Sequence, residues 1–232
     1  MAWLQIGGQL IHNGGFEGGF LGRPTLHDPF IVALKAGDTI GPWVVLAGSG
    51  KSADGEIVAW LDNQNQRGVA TPTGTRFLDL TGYKDGGTLG PNGNLVWEER
   101  LFGGVLQTIV TVPGRRLGVT FRVGTNGDSR YGGPVLVHGW AVDAATRELL
   151  GVESVLNDLP GPGDKWVTGS FFFVPTGTST EIVFRGAVGK QFIGLDEVSV
   201  RRAIPVLWVI HRFVSFIASI AQQILQGPRH GP

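Results

Sequence analysis

Recognition of a sugar needs an aromatic face for the apolar side of the ring and planar polar groups for its hydroxyls. Two stretches of this 232-residue sequence offer both. In the first, Trp60 is followed by "LDNQNQR", which sets Asp62 and Asn63 beside the indole. In the second, "YKDGGTLGPNGNLVWEER", the residues Tyr83, Trp97, Glu99 and Arg100 fall in one glycine-rich loop. These residues form the candidate ligand-binding set. The same side chains serve equally well as loop anchors or subunit contacts. Trp43, Trp140 and Trp166 stand in strand-like contexts and read as core.

Catalytic patterns are weaker. Glu98 and Glu99 are adjacent, so on a strand they point to opposite faces and cannot flank one glycosidic bond. "GSGKS" at 48–52 resembles the end of a phosphate-binding loop, but Val45 stands where that loop needs its first glycine. The histidines, at 12, 27, 138, 211 and 230, have no metal-ligand spacing. No Gly-x-Ser-x-Gly elbow occurs. These absences lead to the expectation of a protein that is not an enzyme.

The elements that must position such residues read almost wholly as strands. In "RLGVTFRV", Leu117, Val119, Phe121 and Val123 alternate with Arg116, Thr120 and Arg122, the period of a half-buried strand. Pro113-Gly114 joins it to the strand before through a turn. Further strands are expected at 43–47, 56–61, 75–81, 104–112, 134–142, 147–156, 165–174, 180–186 and 192–201. "PTGT" precedes a strand twice, at 72–75 and 175–178, and reads as turn chemistry. Many short strands with glycine and proline punctuation argue a β-sandwich or barrel.

Composition fits that class. Glycine is 38 of 232, without the three-residue period of collagen, and hydrophobic content of 42% can fill a core. Nineteen basic residues balance nineteen acidic ones, so there is no electrostatic footprint for nucleic acid. Without cysteine there is no disulfide framework and no thiolate metal site. "MAWLQIGGQLIHNGGFEGG" has neither a basic n-region nor a long apolar h-region, so the sequence as it stands is not expected to be a Sec substrate.

Four stretches carry a family resemblance: "LIHNGGFEGG" (10–19), "GTRFLDLTG" (74–82), "GGVLQTIVTVPGRRLGVTFRVGTN" (103–126) and "WVTGSFFFVPTGTSTEIVFRGAVGKQFIGLDEVSV" (166–200). In order and wording they resemble the choice-of-anchor C family and related plant cell-wall domains of unknown function, and more distantly the xylan- and glucan-binding modules. The resemblance implies a galactose-binding-like jelly-roll β-sandwich over 10–201, behind an N-terminal arm at 1–9, with the first and last motifs side by side. It also implies a structural calcium ion between those motifs, on the matching carboxylates Glu17 and Asp196, since calcium takes hard oxygen ligands from distant points. The other reading is that both carboxylates cap turns. The loop at 83–100 departs from the family pattern, where the chain runs more directly from "DLTG" to "GG-x-x-Q".

Residues 202–232 change character. Val206, Ile210, Phe213, Ile217, Ile220 and Ile224 step by four and three, a heptad seam on an amphipathic α-helix. His211 and Arg212 in its first third argue against a membrane span. β-Branched seam residues favour three or more strands, so a C-terminal oligomerisation helix and a homotrimer are expected, in preference to a strap on the chain's own domain. Together these features point to a non-enzymatic carbohydrate-binding-like and assembly module. Its expected place is a phage virion, tail or capsid surface, in host-surface attachment or decoration. Its expected partners are itself and either virion proteins or a cell-surface glycan. The alternative is a bacterial surface or secreted carbohydrate-binding protein.

Overall fold

The computed structural model describes residues 3–19, 29–48, 58–65, 68–82, 87–89, 95–97, 102–126, 133–159, 163–189 and 192–205, the side chains of 87–89, 95–97 and 205 excepted. The helix expected at 206–225 lies outside the described residues. So do Tyr83, Glu99, Arg100 and the side chain of Trp97.

The described chain is all-β. Its strands are β1 (Trp3–Ile6), β2 (Ile31–Leu34), β3 (Thr39–Ile40), β4 (Trp43–Leu46), β5 (Val58–Asp62), β6 (Arg76–Asp79), β7 (Gly87–Leu89), β8 (Leu95–Trp97), β9 (Gly104–Val110), β10 (Leu117–Asn126), β11 (Val135–Asp143), β12 (Leu149–Asn157), β13 (Asp164–Phe173), β14 (Ser179–Val188) and β15 (Gly194–Pro205). One sheet runs β13-β10-β15-β6-β5-β2, with β1 also paired to β15. The second runs β12-β11-β14-β9-β4-β3, and β7-β8 form a separate two-stranded sheet. Every pairing is antiparallel.

The two large sheets share one core, which makes the architecture a sandwich. The inward phase of β10 supplies Val119, Phe121 and Val123, and that of β14 supplies Ile182 and Phe184. Phe121 and Phe184 belong to opposite sheets, yet their ring centroids stand 4.8 Å apart. The expected turn at Pro113-Gly114 closes with the Arg115 N–H on the Val112 carbonyl and carries the chain from one sheet to the other. A smaller apolar cluster of Ile31, Ala59, Leu61, Val69, Phe77 and Phe192, with Trp166 packed against it, lies apart from the main core.

The last strand holds the first sheet together. β10 lies along one side of β15. The other side is shared by β6 at Gly194–Leu195 and by β1 at Arg202–Pro205. Between those, the segment before Glu17 takes over: Leu10 N–H donates to the Val200 carbonyl, and Val198 N–H to the Gly14 carbonyl. Residues 3–6, part of the stretch read from sequence as an arm, are thus a strand. β2 and β3 are also additional to the strands read from the sequence.

Candidate functional site

The first and last motifs do meet. The register of β10 against β15 shifts between Thr120 and Arg122, and Glu197 takes φ 48° at that irregularity. Such a bulge re-aims neighbouring side chains. The Asp196 carboxyl is turned under the 13–17 segment and is fully buried, accepting from the Thr71 hydroxyl and from the Glu197 N–H at 2.7 Å. Burial, with a smaller push from Glu197 and Glu17, raises its pKa to about 7. Glu197 itself pairs with Arg122.

Glu17 has a different task. One oxygen accepts the Thr75 N–H at 2.9 Å and the Arg76 N–H at 3.2 Å, and the other the Thr75 hydroxyl at 2.8 Å. A side chain on Gly74 (φ 70°) would collide with that carboxylate. Glu17 therefore pins the turn before β6. Its carboxylate has roughly four lone-pair sites, and three donors already occupy it. As calcium ligands the two residues fit unequally: Asp196 is a buried carboxylate short of donors, whereas Glu17 has little left to share. Among the described residues no group of three His, Cys, Asp or Glu comes together.

The sequence-derived binding residues have local partners. Trp60 is 8% exposed within the main core, donates its indole N–H to the Phe16 carbonyl at 2.7 Å, and lies under the Arg76 guanidinium at 4.1 Å. Asp62 pairs with Arg76 at 3.5 Å and accepts the Gln64 N–H at 2.9 Å. Asn63 accepts the Thr71 N–H and donates to the carbonyls of Thr71 and Gly74. The structure brings these three beside Thr71, Gly74 and Arg76.

Sequence reasoning missed a different surface, the outer face of the second sheet. Strand alternation fixes which side chains lie there. Val135, Val137 and Ala141 of β11 are buried in the core, so Leu136, His138 and Trp140 take the outward phase, and all three are partly exposed. Trp140, read from the sequence as core, is therefore a surface tryptophan. Opposed residues share a face, so Trp140 belongs to a cross-strand apolar row: Val152 of β12, Trp140, Val183 of β14, Leu106 of β9 and Val44 of β4, of which Val183 is buried and the others are partly or well exposed. The adjoining row is polar at one end: Ser154, His138, Arg185, Gly104, Leu46. His138 Nδ1 and Ser154 Oγ stand 2.7 Å apart. The signal was His138, a titratable residue in the same phase as Trp140.

Elsewhere, a groove of about 480 Å³ lies between Gln9–Gly15 and Glu197–Arg201. No helix among the described residues is long and apolar enough to cross a membrane.

No protein family matches the chain, and no curated protein does. Solved structures show its fold. The Stig cyclase Fisc from Fischerella sp. TAU is 16% identical, covers 88% of this chain and 99% of its own, and has a TM-score of 0.50. TmCBM61, solved with beta-1,4-galactotriose, is 14% identical over 84% of this chain and 99% of its own, at a TM-score of 0.46. The enzymatically active domain of Bacteriophage CBA120 tailspike protein 4 is 16% identical over 84% of this chain but 21% of its own, at 0.45. At such identity the cyclase likeness speaks for the fold and not for activity.

Proposed function

We propose that the protein is a non-enzymatic carbohydrate-binding module of the galactose-binding-like jelly-roll kind, whose glycan lies across the outer face of the β12-β11-β14-β9-β4 sheet. The carrying observation is Trp140, a partly exposed indole in an apolar cross-strand row beside the polar row of Ser154, His138 and Arg185. That pairing offers an aromatic face to the C–H side of a sugar and hydrogen-bonding groups to its hydroxyls. Calcium, where it binds, takes Asp196 as its buried ligand and the remaining lone pair of Glu17. The module assembles as a homotrimer through 206–225 and sits on a virion surface, in attachment or decoration. The isoleucine seam supports the first of these, and a glycine-rich β chain joined to that seam supports the second.

A glycan array probed with the full chain tests the binding site. Wild type should retain at least one glycan without turnover, and Trp140→Ala should lose it while keeping its melting temperature. An array with no retained glycan, or a Trp140→Ala protein that binds as wild type does, would overturn the assignment.

A further inference from the structure

Arg185 is the unusual residue of that same face. Its strand neighbours Phe184 and Gly186 are buried, and Arg185 is directed outward between His138 of β11 and Gly104 of β9. Gly104 is needed for its path: a Cβ there would fall 2.6 Å from Arg185 Cγ and 2.3 Å from the Phe184 carbonyl oxygen. With no side chain at 104, the arginine lies across β9 and donates from Nη1 to the Ala47 carbonyl, with the Phe102 carbonyl 3.5 Å from the same nitrogen. Both contacts leave from Nη1, so among the described residues the Nε and Nη2 hydrogens have no acceptor. Two neutral carbonyls position the guanidinium and neither neutralises it.

No described carboxylate answers this charge. Arg185 is in none of the ion pairs among the described residues. The carboxylate that shares its sheet face, Glu181, is engaged by Arg147. Burial pushes the Arg185 pKa down, which is what a guanidinium drawn from water without a counter-charge should show. An arginine fork held in place, with its remaining donors unmet among the described residues, fits a planar anion, above all a carboxylate taken two-pronged.

We propose that the glycan of this face is acidic, an oligosaccharide bearing uronic carboxylates, with one ring on Trp140 and a carboxylate on Arg185. The proposal rests on the binding face assigned above. The spacing suits a short oligomer and not a single sugar. Trp140 stands on β11 and the guanidinium reaches the far side of β9 toward Ala47. That is two to three strand spacings, about 10–14 Å.

The experiment is affinity electrophoresis of the full chain in gels holding polygalacturonate, its carboxyl-reduced form, dextran sulfate or neutral xylan and galactan. The reduced polymer keeps the backbone and removes the charge. Wild type should be retarded by polygalacturonate and about tenfold less by the reduced polymer, the loss expected for one charge-assisted pair. Arg185→Gln should abolish the difference between the two, Arg185→Lys should restore part of it, and Trp140→Ala should remove binding to both. Thermal melts of each variant exclude unfolding. Retardation by dextran sulfate alone would overturn the carboxylate assignment. Equal retardation by native and reduced polymers, or by neutral glycans with no change in Arg185→Gln, would overturn the acidic ligand and leave the binding face standing. No retardation by any polymer would overturn the face and the acidic ligand together.

Discussion

Trp60 fills space between the sheets with its N–H spent on the Phe16 carbonyl, while Trp140 stands partly open on a sheet face. Truncation should separate them. Trp60→Ala should cost about 3–5 kcal/mol of stability, and Trp140→Ala about 1 kcal/mol or less, read by urea denaturation. From the sequence their roles look reversed. The polar run after Trp60 resembles a binding loop, yet Asp62, Asn63 and Asn65 spend their polar atoms largely on backbone groups of their own turn. Short polar side chains build turns and grip ligands with the same atoms, and only the fold shows which. Asp196 gives the second residue-scale prediction. Its folded pKa, about 7, lies above its ordinary 3.8, so between those values the folded state holds a proton that the unfolded chain has lost. Stability therefore falls as pH rises from about 4 to about 7. Asp164, also raised by burial, adds in the same direction, and Asp143, lowered chiefly by the Thr146 N–H, acts only at more acid pH. In chelator the melting temperature should drop between pH 5 and pH 8. Calcium bound at Asp196 should reverse that drop near neutral pH, and a melting curve indifferent to calcium would remove the ion from the account.

Strands with strict alternation and length were legible: β11, β13 and β14 fall within two residues of their expected limits, and β10 runs three residues beyond its expected end. β2 and β3 were not, because four and two residues carry too little period to read. β1 has the same handicap, and its partner lies some two hundred residues away. Its packing is specific all the same. The Arg116 guanidinium stands 4.0 Å from the Trp3 ring and 5.2 Å from Phe172. Removal of residues 1–7 should bare the Arg202–Pro205 edge of β15 and dismantle that stack without touching the main core. The truncated protein should keep its β circular dichroism and melt several degrees lower. Loss of the fold would mean that β1 supports more than one edge.

One core spans both sheets, so the described β portion should unfold in a single transition by heat and denaturant alike. The seam at 206–225 should set the assembly. Ile217→Asp would bury carboxylates beside one another at a threefold axis, costing several kcal/mol even after protonation. Light scattering should then report a monomer with unchanged β circular dichroism, and a wild-type protein already monomeric would rule the trimer out. The all-β sandwich was readable from strand alternation, and three of the four motifs, at 74–82, 103–126 and 166–200, lie on its strands, while 10–19 borders β15 without being a strand. The proposed binding face was not, because it arises from register across strands far apart in sequence. That wiring also has a consequence for biosynthesis. β15 lies between β10 and β6, and the leading segment from Trp3 to Gly14 borders it as well. During translation, β10 with β13 and β2 with β5 and β6 can pair among themselves, but the two groups cannot join into one sheet until β15 leaves the ribosome. A nascent chain arrested before Gly194 should stay open to protease, and protection should arrive in one step once residue 205 has emerged. Such a sheet closes only when its last strand has been made, and until then its apolar strands depend on whatever shields them.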